Sequence, residues 1–352
     1  MNPQGKIAVG VLGATGMVGQ HFIKFLRSHP WFQVTWAGAS DRSAGKIYRE
    51  ATEWRLDGEM PEAVAGLTVS ECKPGNGAPR LMFSATDASV ATEIERAFAE
   101  AGHVVVSNSK NHRMESDVPL LVPEINAEHL KLIPLQQRRR GWKGQIATNP
   151  NCSTIVLTMA LAPLKAFGIR KVIVTTMQAI SGAGYPGVAS MDINGNVVPY
   201  IGGEEEKMQQ ETQKILGEFQ GDHIEPLAAK VSAHCNRVAV TDGHTITVSV
   251  ELASKPSESE LIAAMNEFRG EPQKRGLPSA PPQPVIYMTD RARPQPRRDV
   301  ERENGMAVFA GRLRPCPVLD YKFIALGHNT IRGAAGAAVL NAELMYSEGL
   351  LD

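Results

Sequence analysis

Apolar residues in the first part of the chain come in short unbroken runs, separated by stretches of helical period. Residues 6–13, with Ile7, Val9, Val11 and Leu12, read as a buried strand ending in a glycine turn, and residues 17–27 carry apolar side chains at helical spacing. Residues 33–37, 80–84 and 103–107 repeat the strand pattern, and 89–101 predicts a helix between the last two. Strands alternating with helices predict an α/β architecture, a Rossmann-like, doubly wound parallel sheet over residues 1–151. The texture then changes. Residues 155–167 predict a helix, 171–179 a long strand, and 230–252 alternates in strand fashion around a turn at Asp242-Gly243. Further strands are predicted over 284–289, 307–314 and 321–326. With few helices between them, these strands predict a second, α+β domain over 152–330 with a mixed sheet. A helix over 333–348 should end the chain and pack back on the first domain. The proline- and arginine-rich stretch 279–304 reads as a surface loop holding one short strand, and Arg138-Arg139-Arg140 as a solvated loop.

Composition narrows the classes open to such a chain. It has 352 residues, 43% hydrophobic and 21% charged, with a formal net charge of zero. That balance gives no electrostatic case for nucleic acid or an anionic membrane as partner. No apolar run approaches the ~20 residues that span a bilayer, and the opening residues lack a secretory apolar segment. Four cysteines lie far apart without Cys-x-x-Cys spacing, which speaks against a disulfide framework or a structural metal. A cytoplasmic protein without a resident metal is expected.

Gly10, Gly13, Gly16 and Gly19 recur every third residue across the first strand–helix junction. Glycines there let backbone approach a pyrophosphate, whose charge a helix N-terminus stabilises. Gly13, Thr15, Gly16, Met17 and Val18 are the residues expected to hold it. The spacing departs from the common dinucleotide fingerprint, so a plain tight turn is the competing reading. Ser40, Arg42 and Ser43 follow the second strand, where an NAD-specific chain usually has an acidic residue; their hydroxyls and guanidinium suit a 2′-phosphate. NADP is the expected cofactor, with Asp41 turned away.

Cys152 stands in Asn149-Pro150-Asn151-Cys152-Ser153-Thr154, directly ahead of an apolar helical run. A thiol at a helix start is favoured as thiolate by the unpaired N–H groups and the helix dipole, with the Ser153 and Thr154 hydroxyls available to cap the turn. A thiolate beside a nicotinamide implies a carbonyl substrate and a covalent thioester. The cycle also needs a base and an anion clamp. His244 begins a strand after the turn, and Arg237 lies on a strand expected to form a hairpin with it. Cys235 lacks the helix-start setting and reads as structural.

Together with Ser107-Asn108-Ser109-Lys110-Asn111-His112-Arg113-Met114 and Gln178-Ala179-Ile180-Ser181-Gly182-Ala183-Gly184, these motifs resemble the aspartate-semialdehyde dehydrogenase family, most closely its archaeal and fungal branch. The resemblance runs from Lys6 to about Glu343. It implies reversible NADPH-dependent reduction of L-4-aspartyl phosphate to L-aspartate 4-semialdehyde and phosphate, on the route to lysine, threonine and methionine. By the same resemblance Cys152 is the nucleophile, His244 the general acid/base, Gln178 the group orienting the acyl carbon, and Asn151 a residue facing the oxyanion. Arg237 would take the substrate carboxylate, Glu204 its ammonium, and Lys207 and Arg113 its phosphate. Ser181, Gly182, Gly184 and Asn329 would lie along the nicotinamide. Without the resemblance, Glu204 and Lys207 would read as an exposed helix pair. Malonyl-CoA reductase, similar to the same branch, is the alternative, separated by its lack of a substrate ammonium for Glu204. The family also implies a homodimer or homotetramer, to which residues 185–201 would contribute.

Overall fold

The computed structural model describes residues 5–75 and 77–351; the opening residues read above for a secretory segment lie outside them. β1 (Ile7–Leu12), β2 (Phe32–Ala39), β3 (Ser70–Glu71), β4 (Leu81–Ser84), β5 (Val104–Ser107) and β6 (Gln145–Thr148) form a parallel six-stranded sheet. Its order is β3-β2-β1-β4-β5-β6. Val9, Val11, Phe83 and Val104 to Val106 are fully buried because helices cover both faces, as all-parallel sheets require. The order reverses at β1 and β4, and a crevice at the carboxyl ends of two such strands is where doubly wound sheets bind ligands. Gly13 fills that junction. Its φ is +72°, and a Cβ there would lie 2.5 Å from the Ala85 carbonyl oxygen, so only glycine fits.

After a long helix, Cys152–Leu161, the chain builds β7 (Ile169–Gln178), a small β8 (Glu218–Phe219) and β9 (Ile224–Glu225) pair, β10 (Lys230–Arg237), β11 (His244–Leu252), β12 (Val285–Met288), β13 (Val308–Pro315) and β14 (Tyr321–Gly327). The second sheet runs β10-β7-β11-β14-β13-β12, mixing parallel and antiparallel pairs. The Cys152 helix is apolar all round, and Ser153 through Leu161 are all buried, as expected of a helix enclosed on every side. It lies against β11, β13, β14 and the helix Glu204–Ile215. A π-turn, Ile331–Ala335, leads into the final helix Gly336–Ser347, whose Ala338, Val339, Leu340 and Met345 share one apolar cluster with Val9, Phe22 and Val104 of the first sheet's domain.

Three expectations need correction. β10 and β11 do not form a hairpin; β7 lies between them, parallel to β10 and antiparallel to β11. Arg138 to Arg140 end a helix, Ile133–Arg140, and Arg140 pairs with both Glu115 and Asp117. The stretch 279–304 is partly interior: Asp299 is fully buried and accepts from Arg293. No helix among the described residues is long and apolar enough to cross a membrane.

Candidate active site

The Cys152 helix begins where Asn149-Pro150-Asn151 leaves β6. Asn151 is its N-cap: Oδ1 accepts from the N–H of Ser153 at 3.0 Å and of Thr154 at 3.2 Å. The cap expected from the Ser153 and Thr154 hydroxyls is therefore supplied by the residue before the cysteine. Cys152 Sγ lies 3.1 Å from His244 Nε2. Arg237 ends β10 and His244 starts β11, so the chain ends flanking β7 bring them together although their strands do not pair. Arg237 Nη1 donates to the Ala179 carbonyl at 2.7 Å, and the Ala179 N–H donates to His244 Nδ1 at 3.0 Å. Gly182 permits this packing, since a Cβ there would sit 2.8 Å from Arg237 Nη1 and 3.0 Å from His244 Cε1.

Glu204 joins the remaining groups. It opens the helix Glu204–Ile215 and is 8% exposed. Its Oε2 accepts from Asn151 Nδ2 at 2.8 Å and from Gln178 Nε2 at 3.4 Å, while Oε1 accepts from Lys207 Nζ at 3.0 Å. Asn151 thus spends its side chain on the helix cap and on Glu204, where the sequence reading had it facing an oxyanion. Glu211, one turn beyond Lys207, was missed. Its carboxylate takes the Asn151 N–H at 2.7 Å and Arg113 Nη1 at 3.0 Å, tying Arg113 to the nucleophile's own turn. The spacing Glu204, Lys207, Glu211 marks one helix face and is the signal that would have found it. Gly333 was missed too: a Cβ there would lie 2.6 Å from Cys152 Cβ.

The electrostatics overturn one expectation. Burial pushes the Cys152 thiol up to about 12, and the Glu204 carboxylate adds to the rise; Arg237, Arg113 and the Ser153 N–H oppose it and lose. Burial lowers His244 to about 3, helped by the positive charges of Arg237 and His328. The helix start alone does not make a resting thiolate, because desolvation of the charge outweighs the dipole. Alkylation of the free protein by iodoacetamide should therefore climb about tenfold per pH unit through and above neutrality, since thiolate is the reactive form. A rate already flat at neutral pH would contradict the raised thiol.

Around the glycine turn, the first helix (Met17–Leu26) has Gly16 as N-cap and no side-chain cap bond. Its leading N–H groups thus face the crevice without a side-chain partner, the setting in which a phosphate is held. Thr15 offers its carbonyl inward to Gln20 and Thr52. Ser40 and Arg42 are exposed and Ser43 half-buried beyond the end of β2, away from the cysteine cluster. Asn329 donates to Ser181 Oγ at 2.8 Å and accepts from the Gly243 N–H at 2.8 Å, while Gly184 is exposed with φ +74°. A cavity of about 1020 Å³ is lined by Met17 and Ser181, one from each domain, with His21, Asp242 and His328; Cys152 is not in its lining.

Two family models match the chain: semialdehyde dehydrogenase, NAD binding domain, over residues 8–133, and semialdehyde dehydrogenase, dimerisation domain, over 161–332. The chain is 52% identical to the aspartate-semialdehyde dehydrogenase of Methanothermobacter thermautotrophicus over 343 residues, covering 96% of this chain and 99% of that one. Its identity to the Saccharomyces cerevisiae enzyme of the same name is 46% over 363 residues, covering 99% and 100%. Among solved structures it is similar to aspartate semialdehyde dehydrogenase with NADP from Candida albicans, with a TM-score of 0.91, 43% identity, and coverage of 98% and 99%.

Proposed function

Because the chain belongs to the aspartate-semialdehyde dehydrogenase family, we infer that it reduces L-4-aspartyl phosphate reversibly to L-aspartate 4-semialdehyde and phosphate with NADPH, in amino-acid biosynthesis. The observation that carries the reading is the 3.1 Å contact of Cys152 Sγ with His244 Nε2 inside a ring of charges that complements an amino-acid acyl phosphate. The sulfur attacks the acyl carbon, the bond from that carbon to the phosphate oxygen breaks, and a thioester remains on Cys152. Bound NADPH supplies the hydride that reduces this acyl group. His244 faces the sulfur throughout and is placed to hydrogen-bond the developing oxyanion. Gln178, on the same Glu204 oxygen as Asn151, orients the acyl group, and Asn151 caps the helix whose N-terminus faces the acyl oxygen.

The clamps follow from charge. Arg237 takes the α-carboxylate, Glu204 the ammonium, and Lys207 and Arg113 the phosphate. Glu204, already an acceptor for Lys207 and two amides, is a site for a cation and has no such partner in a malonyl thioester. The relatives named above support the aspartyl substrate and not malonyl-CoA reductase. Arg237→Leu should raise KM for aspartate semialdehyde by about 10- to 100-fold, the worth of one hydrogen-bonded charge. Steady-state kinetics with an unchanged KM would remove Arg237 from the carboxylate clamp.

For the cofactor, Gly13, Thr15, Gly16, Met17 and Val18 would hold the pyrophosphate, Ser40, Arg42 and Ser43 the 2′-phosphate, and Ser181, Gly182, Gly184 and Asn329 the nicotinamide end. The first helix, which starts at Gly16 without a side-chain cap, fits that group. We further propose that the enzyme works in the cytoplasm as a homodimer or homotetramer joined through the second domain. Exposed Ile173 on β7, with Met191 and Tyr200 in the segment before Glu204, supports an interface there.

A further inference from the structure

We infer that Lys214 is a positioning residue for the phosphate site: it ties the turn bearing Arg113 to the helix Glu204–Ile215, so that Arg113 and Lys207 keep a fixed spacing. This rests on the reaction proposed above and deepens it. Arg113 follows β5, whereas Lys207 belongs to the second half of the chain, so their spacing depends on what joins the two. Lys214 Nζ donates to three backbone carbonyls, of Arg113 at 2.7 Å, Glu115 at 2.8 Å and Val118 at 2.9 Å. Those bonds use every proton an ammonium can give. Lys214 is 7% exposed.

Residues 108–118 run through turns and bends after β5 and form neither strand nor helix. Carbonyls buried in such a segment find no donors in a regular ladder and need them from elsewhere. Lys214 supplies them from the last turn of its helix. Glu204, Lys207, Glu211 and Lys214 follow one another at intervals of three, four and three residues, which is one stripe along the helix. Glu204, Glu211 and Lys214 are all buried, and charged side chains rarely are without partners. Glu211 takes Arg113 Nη1 at 3.0 Å and Lys214 takes the Arg113 carbonyl, so one helix grips Arg113 by both side chain and backbone. Arg113 Nη2 donates to the Asn108 carbonyl at 2.8 Å, which sets the direction of the guanidinium.

Other bonds of the turn stay on the first sheet's side. Arg140 pairs with Glu115 and Asp117, and His112 Nδ1 lies 2.8 Å from Glu115 Oε1. Glu211 and Lys214 carry the turn across to the Glu204 helix. Burial lowers the Lys214 ammonium to about 8, while Asp117, Glu115 and Glu211 hold it up, so the charge is kept at neutral pH. Without the ammonium, three carbonyls lose their donor and the turn is free to shift. A phosphate between Arg113 and Lys207 needs both cations within hydrogen-bond reach at once, and a small displacement of either weakens its binding.

Lys214→Met keeps much of the side chain's length and removes the three donors. In NADP reduction with aspartate semialdehyde, the full-length variant should show a phosphate KM raised by about 10- to 100-fold, the worth of one displaced charged contact. KM for aspartate semialdehyde and for NADP, and kcat at saturating phosphate, should change little. A residue that only stabilised the fold would disturb all of these together or none of them, and either pattern overturns the inference. Lys214→Gln, whose amide still has two protons to donate, should give the same split at smaller size, and it decides the matter if the methionine variant does not fold. Phosphorus-31 NMR titration of inorganic phosphate needs no turnover. Tighter phosphate binding by the wild type than by the variant supports the inference even if the chain turns over no substrate. Phosphate-dependent turnover with equal phosphate affinity in both proteins would sink it and leave the proposed function standing.

Discussion

Cys152→Ala is expected to abolish turnover of aspartate semialdehyde while leaving NADP binding nearly intact. A methyl group cannot form the thioester, and without that intermediate the remaining clamps only bind. Removal of a nucleophile of this kind lowers kcat by about 10⁴-fold or more. The residues assigned to the pyrophosphate and 2′-phosphate lie after β1, at the start of the first helix and after β2, on other elements than the Cys152 helix. Initial rates paired with a fluorescence titration of NADP separate the two effects. Near-wild-type rates in the variant would end the covalent mechanism, whereas lost NADP binding would mean that the substitution had disturbed the fold.

The second large effect is expected at Glu124. Its carboxylate accepts two bonds from Arg332, at 2.7 Å each, and both side chains have no exposed surface. Arg332 sits in the π-turn Ile331–Ala335, which also carries Gly333 against Cys152. Glu124→Gln removes one charge and leaves the other buried, a change that costs about 3–5 kcal/mol. Urea unfolding should register that loss, and activity should fall with it as the turn beside the cysteine loosens. Replacing both partners, Glu124→Gln with Arg332→Met, should recover much of the stability, because no unpaired charge remains. A single variant as stable as the wild type would show that the pair does not brace the turn.

Local features were legible in the sequence. The glycine turn, the strand–helix alternation around it and the helix start at Cys152 each depend on neighbours a few residues away, and each lies where the pattern put it. Arg237 and His244 were read as neighbours for the wrong reason: β7, far earlier in the chain, inserts between their strands, and Ala179, the residue that follows it, links them. Strand order is a long-range property that alternation along one strand does not encode. The protonation of Cys152 was misjudged on the same ground. Helix-start geometry is local, whereas the burial and the Glu204 charge that outweigh it come from other elements. Glu124 and Arg332 gave no sequence signal, since a buried ion pair looks like two ordinary surface charges until the chain folds.

The most direct test is NADP reduction by the purified protein with aspartate semialdehyde as substrate, followed by absorbance with and without inorganic phosphate. The account predicts turnover that depends on phosphate, because the thioester on Cys152 is released by phosphate as acyl acceptor. No turnover under either condition, together with NADPH oxidation on malonyl-CoA, would contradict it.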